Sequence, residues 1–268
     1  MKKRVLITGH KGYIGRHLWQ MIFETRPDID LYGFDIAGTG MENLDIRNMF
    51  TCDMEFHTVI HLAALVRVGE SVKNPTDYYE TNVGGTINLL EKVRHHNFIF
   101  ASTGAASNPD SPYGFSKRVA EDIVKEKAYD YTIFRFYNVI GTDGFPPTNP
   151  EGILLNLVKA SKDGFNLYGD DYNTKDGTCV REYVHVNDIC SAIIKAIDEP
   201  SRDIENLAYG DTRTVKEIIE IYKKVNNKKF KVNVLPRRPG DLEACYLEKP
   251  SKYMIQNYSY EEMLKINV

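Results

Sequence analysis

Cysteine is scarce. The four residues, at 52, 179, 190 and 245, include no C-x-x-C pair and no metal-binding spacing. A reducing compartment fits that pattern best, so the chain is expected to be cytoplasmic and to hold no metal. A dominant charge is also missing: 34 Lys and Arg stand against 37 Asp and Glu, for a net charge of −3. This gives no electrostatic case for nucleic acid. The one basic run, KKVNNKKFK at 223–231, reads as a solvated turn. The seven His show no ligand pattern, and His95 and His96, as neighbours on the helix expected there, point different ways. No apolar run is long enough to span a bilayer, and the N-terminus leads straight into a strand with no room for a signal peptide. No membrane association is expected. There is no internal repeat and no low-complexity segment.

What remains is an ordinary globular composition, 42% hydrophobic and 26% charged over 268 residues, enough to bury one large or two smaller cores. The chain opens with the apolar run KRVLIT (Lys3–Thr8), followed at once by GHKGYIG, in which Gly9, Gly12 and Gly15 stand three apart. Leu18, Met21 and Ile22 then take helical spacing. Strand, glycine turn and helix form the context of a dinucleotide fingerprint, although the spacing is G-x-x-G-x-x-G rather than G-x-G-x-x-G. The glycines allow a tight turn and close backbone approach, and the helix N-terminus faces a pyrophosphate.

A second strand over 30–34 ends at Asp35, twenty residues beyond Gly15. An acid there suits the ribose hydroxyls of NAD and repels the 2′-phosphate of NADP, the alternative being a turn aspartate. Only nine residues separate Asp35 from Asp45, too few for a crossover helix, and Gly38 and Gly40 agree with a loop. Further strands are predicted over 57–64, 97–102 and 131–136, with a long helix over 75–95. His61 reads as a packed strand-end residue. The alternation argues for an α/β fold, a doubly wound, mostly parallel Rossmann sheet. From Asn138 the pattern changes to loops rich in Gly, Pro and Asn, with shorter helices and strands: helix 152–162, strands 165–169 and 180–186, helix 188–198, strand 205–208, then helix, strand and tail. The expected division is a Rossmann domain of 1–137 and 184–210, and a smaller α/β substrate-binding cap of 138–183 and 211–268 over the sheet's carboxyl edge.

The stretch FASTGAASNPDSPYGFSK brings Thr103 to the end of a strand and places Tyr113 and Lys117 four residues apart on a helix started by Pro112. Positions i and i+4 share one helix face. A free Tyr titrates near ~10, and moving it to ~7 for general-base work requires roughly 4 kcal/mol from nearby positive charge. The lysine and a cationic nicotinamide could supply that. Y-x-x-x-K can also arise by chance in a chain with 17 Tyr.

Taken together, TGHKGYIG, LDIRN, VIHLAA, VGES, YYETNVGGT, NFIFAST, YGFSK, RFYNV, LYGDDYNTKDGTCVREYVHVNDI and RRPGDLEAC resemble the extended short-chain dehydrogenase/reductase superfamily, and within it the UDP-galactose 4-epimerase family. The similarity runs nearly end to end, and the last two blocks are the most specific. It implies an NAD-dependent epimerase acting on UDP-sugars through a 4-keto intermediate, assembled as a homodimer through the helices at 75–95 and 112–127. By matched motif, Thr103, Tyr113 and Lys117 would be catalytic. With the glycines, Tyr13 and Ile14 would line the pyrophosphate, Asp35 the adenosine ribose, and Asp45 and Ile46 the adenine. Leu62, Ala63, Ala64, Asn82 and Tyr137 would join Tyr113 and Lys117 at the nicotinamide half. The UDP-sugar would meet Thr103, Tyr113, Asn138, Asn156, Asn166, Leu167, Tyr168, Arg181, Arg238 and Asp241. Two arginines suit a diphosphate. Cys245 matches the gate position, where a small residue admits N-acetylated sugars.

Three departures stand out. Gly104 and Ala105 follow Thr103 where dehydratases and decarboxylases carry an acid. The Thr103–Tyr113 step is only ten residues, much shorter than in the family. Val66 and Arg67 stand where epimerases commonly have a lysine near the nicotinamide. The competing readings are another sugar-nucleotide enzyme (uronate epimerase, dehydratase or decarboxylase) and a non-catalytic NAD-sensing protein. The latter often loses the Tyr or Lys, and both are present here.

Overall fold

Strand β1 (Lys3–Thr8) has four consecutive buried residues, as expected of a strand covered on both faces. The computed structural model describes residues 2–37, 43–48, 52–142, 144–238, 241–245 and 250–266. After β1 come α1 (Tyr13–Thr25), β2 (Ile29–Phe34), β3 (Glu55–His61), α2 (Val68–Lys73), α3 (Pro75–Tyr79) and α4 (Gly85–Lys92). Then follow β4 (Arg94–Thr103), α5 (Pro112–Lys127), β5 (Asp130–Phe136), β6 (Asn138–Ile140), α6 (Ile153–Asp163), β7 (Phe165–Tyr168) and β8 (Val180–His185). The chain finishes with α7 (Val186–Asp198), β9 (Ile204–Leu207), β10 (Thr212–Thr214), α8 (Val215–Val225), β11 (Val232–Leu235), β12 (Ala244–Cys245) and α9 (Tyr260–Leu264).

These elements fold as two units, Met1–Phe136 with Cys190–Glu205, and Tyr137–Ile189 with Asn206–Val268. The chain therefore changes unit after Phe136, within α7 and within β9. The return to the first unit is 190–205, shorter than the 184–210 expected from the sequence, and Tyr137 opens the second unit.

The first unit is built on a sheet of order β2-β1-β3-β4-β5-β9, with β1 through β5 paired in parallel. The order reverses at β1, so the crevice beside the carboxyl ends of β1 and β3 is the topological switch point where such sheets bind ligands. Leu6, Phe56, Val59, Phe98, Phe100 and Ile133 from the strands pack with Leu89, Ala120 and Val124 from α4 and α5. No helix lies between β2 and β3 among the described residues, and an isolated parallel bridge, Asp35 to Asn43, marks where a further strand would start. Gly38 and Gly40 lie outside the described residues.

Two expectations are corrected here. The strand expected to reach Ala64 stops at His61, and Leu62 to Ala64 continue as loop. The helix expected over 75–95 is α3, a five-residue π segment (Glu80–Gly84) and α4, ending at Lys92. Val93 turns to extended backbone (φ −111°, ψ 113°), so His95 and His96 belong to β4, where alternation rather than helical twist separates them. A π insertion re-aims the side chains that follow it and marks functional segments more often than ordinary helix.

The second unit holds β8 between parallel β12 and antiparallel β10, with β6 parallel to its far end, and a separate parallel pair of β7 and β11. Its core joins Leu154 and Leu157 of α6, Leu167, Tyr183, Ile218 and Ile219 of α8, and Met263 and Leu264 of α9. Helix α8 begins with a full capping box between Thr214 and Glu217.

Candidate active site

The glycine turn is fixed by backbone contacts that no side chain would fit. Gly9 has φ +74°, and a Cβ there would stand 2.7 Å from the Ala63 nitrogen. A Cβ on Gly15 would reach 2.3 Å from the Gly9 carbonyl oxygen, and one on Gly12 would stand 3.1 Å from the same atom. The turn thus lies flush against Leu62 and Ala63 beyond β3. Leu62 N–H donates to the Thr8 carbonyl at 3.1 Å and Ala63 N–H to Thr8 Oγ1 at 3.4 Å. Gly12 caps α1 without a side-chain bond, and the first turn, from Tyr13 and Ile14, carries no acid. The positive end of the helix is therefore open to an anion. Asp35 accepts from Lys11 N–H and Ala37 N–H, both at 2.9 Å, which aims its carboxylate along the same edge. A cradle closed to any Cβ, an open helix terminus and a fixed carboxylate fit a dinucleotide.

Other residues expected at the cofactor have protein partners. Asp45 forms a two-pronged ion pair with Arg47, at 3.0 and 2.6 Å, and the guanidinium holds its carboxyl below the ordinary range. The Ile46 side chain lies in the core, and a Cβ on Gly85 would meet it at 2.5 Å. Asn82, in the π segment, is buried: its Oδ1 accepts from Leu65 N–H at 2.9 Å, and its Nδ2 donates to the Leu65 carbonyl and to Ser116 Oγ, each at 3.0 Å. It ties the loop beyond β3 to α5 and so acts through its neighbours. Arg67 caps α2 and pairs with Glu70 at 3.5 Å.

Tyr113 and Lys117 lie one helical turn apart on α5, and Thr103 is the last residue of β4. Thr103 caps the 3-10 turn Gly104–Ala106 by accepting from Ala105 N–H at 3.3 Å. The short step to Tyr113 is compact. Ser107 Oγ donates to the Gly104 carbonyl at 2.6 Å, Ser111 caps α5 by accepting from Gly114 N–H at 3.3 Å, and Pro112 occupies the first helical turn. Ser116, missed in the sequence reading, donates to the Tyr113 carbonyl at 2.8 Å and accepts from Asn82. Tyr78 meets the Tyr113 ring edge-on, with centroids 6.3 Å apart. Lys117 is buried, its Nζ 4.1 Å from the centre of the Phe100 ring.

The depression expected of the Tyr113 phenol draws on Lys117 and a cationic nicotinamide together, and the protein's own surroundings act the other way. Burial pushes the phenol above its ordinary value, and the Thr103 hydroxyl offsets only part of that. Burial also pulls the Lys117 ammonium down to about 7, opposed by Glu121. His61, buried between Thr8 Oγ1 (2.7 Å) and Thr86 Oγ1 (3.1 Å), is held neutral by burial and by Lys117.

In the second unit, Arg181 on β8 donates to the Val180 carbonyl at 2.9 Å and forms no ion pair among the described residues. Cys245 stands opposite it in the parallel register of β12 and β8. Arg238 pairs with Asp241 at 3.4 Å and lies 4.1 Å from the centre of the Tyr168 ring. Asn138 donates to the Glu182 carbonyl at 3.0 Å, and Tyr137 donates to Asn206 Oδ1 at 3.3 Å. Asn156 holds the loop before α6 through the Pro150 and Gly152 carbonyls, at 2.9 and 2.8 Å. On β7 the Asn166 side chain is exposed and accepts from Asn233, whereas the Leu167 side chain is buried in the core, leaving only its backbone for a ligand.

A parallel sheet with a glycine turn at its switch point and a Thr, Tyr and Lys gathered at the end of β4 and the start of α5 define a dinucleotide-dependent protein of the short-chain dehydrogenase/reductase type. The chain belongs to the NAD dependent epimerase/dehydratase family, whose sequence profile matches residues 5–209. It is 32% identical over 308 aligned positions to the UDP-glucose 4-epimerase of Bos taurus, covering 92% of this chain and 88% of that one. The alignment is longer than this chain, so the relative carries residues with no counterpart here. UDP-glucose 4-epimerase from Brucella ovis, solved in complex with NAD, superposes with a TM-score of 0.86 at 27% identity, covering 98% of this chain and 96% of that one. The UDP-Glc/GlcNAc 4-epimerase of Campylobacter jejuni superposes with a TM-score of 0.78, also at 27% identity, covering 98% and 97%.

Proposed function

We propose that this protein is an NAD-dependent isomerase that inverts C4 of UDP-hexoses, interconverting UDP-glucose and UDP-galactose through a 4-keto sugar. The observation that carries the reading is the Thr103, Tyr113 and Lys117 cluster followed by a 3-10 turn of Gly104 and Ala105, with no acid to assist elimination or decarboxylation. Incubating the purified protein with UDP-galactose and NAD, and following the C4 epimers by NMR, tests it. A product of altered mass or no turnover would contradict it.

When bound, NAD supplies the acceptor and donor of the C4 hydride. Gly9, Gly12 and Gly15 with the N-terminus of α1, from Tyr13 and Ile14, hold its pyrophosphate, and Asp35 its adenosine ribose. Leu62 to Ala64 lie at its nicotinamide half. Tyr113 takes the proton from the sugar O4 and returns it after the ring has turned over. Thr103 donates to the developing phenolate, and the Lys117 ammonium favours that anion. Burial favours the neutral phenol, so positive charge on a bound cofactor would complete the base.

Arg181 and Arg238 are proposed to clamp the diphosphate, Arg238 exchanging Asp241 for a phosphate oxygen. Tyr168 offers an aromatic face, and Asn138 and Asn166 keep acceptor or donor capacity. Cys245, beside Arg181, is proposed as the gate that admits N-acetylhexosamines, so UDP-GlcNAc and UDP-GalNAc are also substrates. Replacing Cys245→Tyr is expected to abolish N-acetyl turnover and leave UDP-galactose turnover within about threefold, a spread under 1 kcal/mol. Absence of N-acetyl turnover in the wild type would end that idea.

A homodimer through α3, α4 and α5 is proposed as well. Tyr79, Phe115 and Val119 remain 41, 47 and 42% exposed on these helices, and a sedimenting monomer would refute it.

A further inference from the structure

Three polar side chains of the first unit that sequence reading passed over are buried beside the candidate catalytic residues: Ser102 on β4, Glu121 on α5 and Arg135 on β5. Arg135 Nε donates to Glu121 Oε1 at 2.8 Å and its Nη2 to Oε2 at 2.6 Å, while Ser102 Oγ donates to Oε1 at 2.5 Å. One carboxylate therefore joins three elements. Ser102 immediately precedes Thr103, and α5 carries Tyr113 and Lys117. An ion pair that served stability alone could be replaced by apolar side chains without loss, because desolvating the two charges offsets most of their attraction.

The placement of Glu121 gives it a second role. It lies four residues beyond Lys117, one helical turn along the same face. Lys117 forms no ion pair among the described residues and has the Phe100 ring against its ammonium. The titratable and charged groups around it are few. Glu121 and Tyr113 lie on its own helix, neutral His61 faces it from β3, and Arg135 on β5 binds Glu121. Among them, Glu121 alone attracts the positive charge.

We propose that Glu121 is a positioning residue for the epimerase reaction set out above, on which this inference rests: clamped by Arg135 and Ser102, its carboxylate is the buried negative charge that favours the protonated form of Lys117. The sign of the effect follows directly. Removing the carboxylate favours the neutral amine, so Lys117 loses its proton at lower pH. The ammonium that favours the Tyr113 phenolate is then lost at neutral and alkaline pH and retained in acid.

The test is the titration of Lys117 in NAD-free protein, read from the 13C shift of its Cε in lysine-labelled samples and assigned with Lys117→Met. The wild-type midpoint is expected near about 7. Glu121→Gln is expected to lower it by at least about one pH unit, a tenfold loss of proton affinity. Because Glu121→Gln removes the carboxylate that Arg135 donates to, the double variant Glu121→Gln/Arg135→Gln is measured beside it and is expected to shift the same way. Glu121→Asp should restore the midpoint towards the wild type. The alkaline limb of kcat should move down with the titration while KM for UDP-galactose stays constant. An unchanged midpoint in the folded double variant overturns the proposal. The titration needs neither cofactor nor sugar, so a wild type that fails to epimerise refutes the proposed function and leaves the role of Glu121 decided separately.

Discussion

Tyr113→Phe is expected to reduce kcat for UDP-galactose epimerisation by about 10²- to 10⁴-fold, the range contributed by a positioned acid–base group. KM should change little, because the phenol moves a proton in the transition state rather than holding the UDP moiety. The fold should tolerate the change. The ring still meets Tyr78 edge-on, and Thr103 keeps its bond from Ala105 N–H. Cofactor binding should also persist, since the glycine turn and Asp35 do not depend on the hydroxyl. Steady-state kinetics with a parallel measurement of bound NAD checks all three. A variant within about tenfold of wild type would remove Tyr113 from the role of base.

The second large effect is expected from one methyl group. Gly15→Ala places a Cβ 2.3 Å from the Gly9 carbonyl oxygen and 2.7 Å from His10 Cα, both backbone atoms that cannot swing aside. The start of α1 must move away from the turn, and the turn is also packed on Ala63 at Gly9. Overpacking of this kind costs about 1–3 kcal/mol or more. That corresponds to a fall of several degrees in Tm, at roughly 2–4 °C per kcal/mol for chains above 150 residues. NAD affinity should fall by at least about tenfold, because the helix terminus and the turn must meet the pyrophosphate together. Gly84→Ala supplies the internal control: nothing lies within 4 Å of its would-be Cβ, and its backbone is helical at φ −59°. It should be neutral or slightly stabilising. Thermal melts and NAD titrations of the two variants give the comparison.

Features visible in the sequence were those whose signal is local. The buried run of β1, the glycine spacing and the i+4 relation of Tyr113 and Lys117 each follow from short-range geometry, and the structure gathers Thr103 with them. The shortness of the Asp35–Asp45 step also spoke against a crossover helix, and its described residues carry an isolated bridge from Asp35 to Asn43. The long helix was misread because a π segment carries no composition of its own. Val83 and Ile87 stand at ordinary helical spacing in the sequence, and nothing there marks the extra residue at Glu80–Gly84.

Pairings between distant residues were not legible at all. Glu121 was passed over because its partner Arg135 arrives from β5, although its position four residues after Lys117 was the available clue. Asn82 was expected at the cofactor, but its amide serves Leu65 and Ser116. The opposing effect of burial on Tyr113 was not legible for a physical reason. Spacing shows that a lysine is near, but the strength of desolvation depends on how completely the pair is buried.

The central claim is that C4 is oxidised and then reduced within one bound state, with Tyr113 handling only the proton. UDP-galactose carrying deuterium at C4, incubated with the NAD-loaded protein in ordinary water, tests it most directly. The account predicts UDP-glucose of unchanged mass with the deuterium retained at C4, since a hydride that never leaves the site cannot exchange with solvent. Loss of deuterium to water, or a product lighter by water or carbon dioxide, would contradict it.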